Sequence, residues 1–186
     1  YLALAYAARH PSTVRALVLL DAGGNDVRSW LPITPSMLAK LEPRQRRKAR
    51  LACASMRPSE ACDRAELPTL FYAPARIPQF VAPMAKDKVF DHVDVNDPVT
   101  FDIVLEPHLT ILNGPCPPSL IVFGAADPYG DPGVQEVGHL VPCAKEAIIS
   151  RAGHFTWFER PDGFTQIVRP FMAANDSPGS ASSAAK

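Results

Sequence analysis

Asp127 and His154 are the two side chains of this sequence whose types and spacing point to chemistry. An imidazole can act as a general base near neutral pH when one ring nitrogen is left free. A carboxylate that accepts from the other ring N–H fixes the tautomer and stabilises the imidazolium. Asp127 follows "SLIVFGAA", three residues past Gly124, and His154 follows "EAIISRAG", four residues past Ser150. They stand 27 residues apart, the length of one helix, one strand and two loops. In an open α/β sheet, functional residues gather beyond the carboxyl ends of the strands. Two consecutive parallel strands would therefore deliver an acid and an imidazole to one edge of a sheet. Alone, Asp127 also reads as a turn residue before Pro128, and His154 as a loop histidine. Placed together after successive strands, they read as an acid–base pair. Asp131 and Asp102 are the substitute acids if Asp127 points away. His10 closes a helix, where a cation suits the dipole, and His92, His108 and His139 lack an acid at comparable topology.

The pair needs strands beneath it. Three short apolar runs supply them: "ALVLLDA" (16–22), "SLIVFG" (119–124) and "EAIIS" (146–150). Near-continuous apolar runs suit parallel strands covered on both faces. Helical stretches alternate with them over residues 1–9, about 132–140 and 161–173. Pro11 closes the first of these. Pro161 suits a helix start, and Phe164, Ile167, Val168 and Phe171 then fall on one side. Such alternation predicts an α/β layer fold with a mostly parallel sheet. Residues 27–113 differ. They are rich in proline, carry the basic run "PRQRRKAR" (43–50) and show helical stretches without strand-like alternation. This insertion is expected to be mostly helical over about 35–105, adding no strand, and to sit over one end of the sheet as a lid or cap. The basic run reads as a solvated helix face, with an anionic partner as the alternative.

Composition limits the function classes. The 186 residues are 47% hydrophobic, and 19 Lys and Arg balance 19 Asp and Glu. That balance argues against nucleic-acid binding, and no apolar run reaches membrane-spanning length. None of the cysteines Cys53, Cys62, Cys116 and Cys143 forms a C-x-x-C pair, and no zinc set is apparent. They read as idle thiols, or with Cys53 and Cys62 bonded. The small, polar tail "NDSPGSASSAAK" (175–186) reads as disordered. The chain opens on Tyr1, inside a helical pattern with no capping residue before it, and so reads as a piece cut within an element.

"IVFGAADPYGDP" and "RAGHFTWFERPDGF" resemble the acid and histidine loops of the α/β-hydrolase fold, and "YLALAYAARHPSTVRALVLLDAGG" resembles the helix and strand that follow its nucleophile elbow. The resemblance covers residues 1–24 and 115–173 and is nearest to the capped group with proline iminopeptidase-like enzymes and esterases. It implies the carboxyl-terminal part of an α/β-hydrolase sheet, with core segments 1–26 and 114–174 and a helical cap over 27–113. It also implies a triad in which Asp127 is the acid and His154 the base. The serine of the G-x-S-x-G elbow would lie about four residues before Tyr1, so this chain alone is expected to be inactive. The implied substrate is a small-molecule ester or amide, with no metal or organic cofactor. Two alternatives stay open: an aspartate nucleophile, as in haloalkane dehalogenases and epoxide hydrolases, and a non-catalytic binding protein of the same fold. Gly153 is expected to let the chain turn at the strand end. Phe155, Trp157 and Phe158 are expected to wall the site or pack the next helix, with ordinary core packing for at least two of them.

Overall fold

A computed structural model of the chain describes residues 2–22, 35–54, 60–87, 116–130 and 137–176. Three parallel strands form its sheet in the order β1 (Leu17–Leu20), β2 (Ser119–Gly124) and β3 (Ala144–Ile149). Leu17 pairs with Ser119 at one end of the register, and Gly124 pairs with Ile149 at the other. All six residues of the central strand β2 are buried, as its unbroken apolar run requires of a strand covered on both faces. β3 lies at the edge, so Lys145 and Glu146 are exposed while Ile149 is buried. This explains why its first residues carry no apolar signal and why the strand starts two positions before the expected 146. β1 is shorter than expected, because Asp21 leaves it at φ 44°.

Each face of the sheet is covered. On one side, helix α1 (Leu2–Arg9) lays Leu4, Ala7 and Ala8 against Leu17, Leu19, Ile121 and Phe123. Their spacing puts them on one helical face, and Pro11 opens a 3₁₀ turn that ends the helix. Val137 and Val141, from and just after the helical residues 137–140, complete this cluster.

The last helix, Pro161–Asn175, covers the other side, where Phe164, Ile167, Val168 and Phe171 pack on Leu120, Val122, Ile149 and Ala152. Burying an aliphatic or aromatic side chain of this size contributes about 1.5–3 kcal/mol, so these two clusters fix the layer order. The helix runs to Asn175, whose side chain caps the Phe171 carbonyl at 2.8 Å, so the tail does not begin at 175. Residues 177–186 lie outside the described residues.

Between β1 and β2 every described regular element is a helix: α2 (Pro35–Ala39), α3 (Pro43–Ala52), α4 (Glu60–Glu66) and α5 (Ile77–Asp87), with 3₁₀ turns at Leu67–Thr69 and Pro74–Arg76. The basic run forms α3, which Pro43 and a Glu42–Gln45 capping box start. Arg46 turns inward to the Leu38 and Leu41 carbonyls, while Arg44, Arg47, Lys48 and Arg50 are exposed. The rest of the expected helical stretch, residues 55–59 and 88–105, lies outside the described residues.

All four cysteines are bonded. Cys53 joins Cys62 with Cα atoms 4.8 Å apart, bracing α3 against α4, and Cys116 joins Cys143 at 6.3 Å, linking the chain just before β2 to the chain just before β3. Cys116 and Cys143 are therefore not idle thiols. The parallel pairing that sets Ser119 beside Ala144 brings them within disulfide reach.

Candidate active site

The carboxyl ends of β2 and β3 carry the expected pair. Asp127 Oδ2 lies 3.0 Å from His154 Nδ1, so the ring N–H donates to the carboxylate and Nε2 is left as the free nitrogen. The Asp127 side chain is fully buried, and a quarter of the His154 side chain is exposed. The second oxygen, Oδ1, accepts the Tyr129 backbone N–H at 2.9 Å. The turn after β2 therefore holds the carboxylate from behind. Asp131 and Asp102 lie outside the described residues, as do His92 and His108. His139 is exposed, and His10 stacks on Tyr6 at 4.9 Å, at the end of α1.

The histidine loop is held by close backbone approach. Arg151 takes the left-handed conformation at φ 57°, and among the described residues no glycine has positive φ. Gly153 therefore does not serve as the turning residue. A Cβ there would stand 2.1 Å from the Leu70 carbonyl oxygen, and a Cβ on Gly124 would stand 2.1 Å from the Gly153 oxygen. Three backbone layers are thus stacked too tightly for side chains: the end of β2, the histidine loop and segment 70–72. His154 N–H donates to the Leu70 carbonyl at 2.7 Å. Phe155 and Phe158 pack with Met37, Leu70, Phe71 and Phe80, while Trp157 remains exposed and meets Phe155 edge-on. Two of the three aromatics are ordinary packing, as expected.

The electrostatics centre on the imidazole. Burial alone would push His154 down. The hydrogen bond and charge of Asp127, with the charges of Asp21 and Glu66, outweigh it and hold His154 above its ordinary value. Asp21 is pushed up to about 7, chiefly by burial, with the Asp127 charge adding to it. Its Oδ2 accepts the Thr156 hydroxyl at 3.0 Å, and its Oδ1 is buried with no partner among the described residues. Burial also raises Glu66, which accepts the Tyr129 hydroxyl at 3.0 Å. Lys40, from the turn after α2, donates to the carbonyls of Thr69 and Ala126, and burial pushes it down despite the charges of Asp127 and Glu159. Among the described residues no three His, Cys, Asp or Glu side chains converge as a metal site, and no helix is long and apolar enough to cross a membrane.

Solved structures resemble this chain in fold. The proline iminopeptidase of Mycobacterium smegmatis superposes with a TM-score of 0.64 at 20% identity, over 94% of this chain and 62% of that one. The enol-lactonase of Burkholderia xenovorans gives 0.60 at 22% identity, over 92% and 61%. VinJ gives 0.63 at 17% identity, over 94% and 62%.

This chain has the α/β-hydrolase fold.

It spans about three-fifths of the length of these hydrolase-fold neighbours. No family model and no curated protein sequence matches it.

Two residues around the acid–base pair are not singled out by the sequence analysis. Asp21 obeys the strand-end rule that singled out the other two, since it directly follows Leu20 at the end of β1. That rule, applied to all three strands, would have found it. Glu159 sits inside the quoted histidine stretch, but two of its three backbone N–H partners lie 86 and 87 residues away, and no side-chain pattern announces them.

Proposed function

We infer that this chain supplies the acid and the base of a serine hydrolase that cleaves an ester or amide in a small molecule. The observation that carries the inference is the 3.0 Å contact between Asp127 and His154 at the carboxyl edge of the sheet. In this reading a serine outside these 186 residues attacks the substrate carbonyl while His154 Nε2 takes its proton. The tetrahedral adduct collapses, and His154 returns the proton to the departing alcohol or amine, leaving an acyl-enzyme. Water, activated by the same nitrogen, then releases the acid product. Asp127 keeps Nδ1 protonated and stabilises the imidazolium. The helices between β1 and β2 act as a cap that shapes the substrate pocket. Two observations support this. Phe71 and Phe80 pack on the histidine loop, and Lys40 and Ser36 reach the acid loop at Ala126 and Pro128. On this reading the isolated chain has no turnover.

The test is an assay of the complete protein carrying these residues, with p-nitrophenyl esters and aminoacyl anilides. Turnover should disappear in His154→Ala. Undiminished hydrolysis by that variant would overturn the assignment. A covalent adduct trapped on an aspartate would move the mechanism to the alkyl-enzyme class.

A further inference from the structure

Glu159 lies outside the acid–base pair, yet it is only 7% exposed. A buried carboxylate is costly unless its lone pairs are used. Here three backbone N–H groups donate to it: Gly153 at 2.6 Å, Ala73 at 2.9 Å and Tyr72 at 3.1 Å. Gly153 is the chain neighbour of His154. Tyr72 and Ala73 belong to the short segment between the two 3₁₀ turns, which pairs with no strand among the described residues and needs partners for its N–H groups. The Glu159 backbone carbonyl accepts Arg76 Nη1 at 2.8 Å, and that guanidinium lies 4.5 Å over the Phe158 ring. Among the described residues, the direct backbone bond between segment and loop runs from His154 N–H to the Leu70 carbonyl. Glu159 therefore supplies the acceptors that a neighbouring strand would otherwise provide.

We propose that Glu159 is a positioning residue that fastens segment 70–73 onto the histidine loop, so that this segment becomes the outer support of the His154 ring. The proposal deepens the hydrolytic reading and rests on it for activity, but the ring geometry can be tested without it. The loop has little room of its own. It is pressed between Gly124 on one side and Leu70 on the other. Loss of the carboxylate releases the outer layer and leaves three donors unsatisfied. The ring then drifts from Asp127. A displacement near 1 Å costs about 10²-fold in rate.

The experiment uses the complete protein with Glu159→Gln, which keeps the size but turns an NH₂ donor toward N–H donors, and Glu159→Asp, which keeps the charge but not the reach. The His154 titration midpoint is read by NMR of the ring. The charged groups facing that ring are Asp127, Asp21 and Glu66. Both variants should shift the midpoint downward as the Asp127 contact loosens, and should lower kcat about 10–100-fold with KM nearly unchanged. Because Glu159→Asp retains the charge, a shift there reports geometry. If Glu159→Gln does not fold, Arg76→Ala loosens the same segment and is read in the same way. A midpoint that stays in place in the folded variants overturns the proposal, even if their melting temperatures fall. A wild-type protein that hydrolyses nothing would instead overturn the hydrolytic reading and leave the midpoint test standing.

Discussion

The Thr156 hydroxyl donates to Asp21 Oδ2 at 3.0 Å, tying the end of β1 to the short helix Thr156–Glu159 that follows the histidine loop. Both residues are buried, so the bond joins the segments that leave the first and third strands of the sheet. Burial holds the bonded Asp21 carboxyl above its usual range.

Asp21 is pushed from 3.8 to about 7. Between those values the folded protein holds a proton that the unfolded chain has released, so stability falls as pH rises through that window. At about 1.4 kcal/mol per unit, the loss is on the order of 4 kcal/mol. Glu66, also raised, adds slope of the same sign. Denaturant unfolding from pH 4 to 7 should show the decline, and Asp21→Asn should flatten most of it. An unchanged slope in that variant would show that Asp21 titrates normally.

His154 carries the trend further. Its folded value is raised, so its contribution is fully present below 6.5, its ordinary value, and is lost as pH rises through the folded one. Stability should keep falling above pH 6.5 in the wild type, and that upper part should be absent from His154→Ala.

Asp127→Asn should lower kcat of the complete protein by about 10³–10⁴-fold, since a carboxamide no longer fixes the N–H on Nδ1. Steady-state kinetics on an activated ester checks this. A loss below tenfold would mean that another group orients the ring.

Gly153→Ala forces a methyl into the 2.1 Å gap before the Leu70 carbonyl. Such overpacking against backbone should cost about 1–3 kcal/mol or more, read as a lower melting temperature. A silent substitution would show that the segment moves away freely.

The two disulfides should separate stability from chemistry. Chain-entropy reasoning gives about 3–4 kcal/mol for the Cys116–Cys143 loop and about 2–3 kcal/mol for the shorter Cys53–Cys62 loop. Cys116 precedes the amino end of β2, opposite the acid–base pair. Serine replacement of Cys116 and Cys143 should therefore lower the unfolding midpoint and leave the His154 titration in place.

What was legible in the sequence follows from which interactions side-chain types encode. β2 could be read to the residue, because a strand buried on both faces has an apolar signature. Asp127 and His154 could be read from their distance past strand ends. The start of β3 could not, because an edge strand tolerates Lys145 and Glu146. The reason for Gly153 was misread, since a glycine kept for close approach looks the same in sequence as one kept for a turn. Cys116 and Cys143 gave no sign of pairing, because their nearness depends on the parallel register.

The three strand ends also form a staircase. Asp21 stands one residue beyond Leu20, Asp127 three beyond Gly124 and His154 five beyond Ile149. Each tread is two residues longer than the last. The step heights match accessibility, from the buried carboxyls to an imidazole that alone reaches solvent. Loop length therefore acts as a ruler at this edge. Changing the Gly124–Asp127 or Ile149–His154 interval by a single residue would disrupt the pair even with every side chain kept.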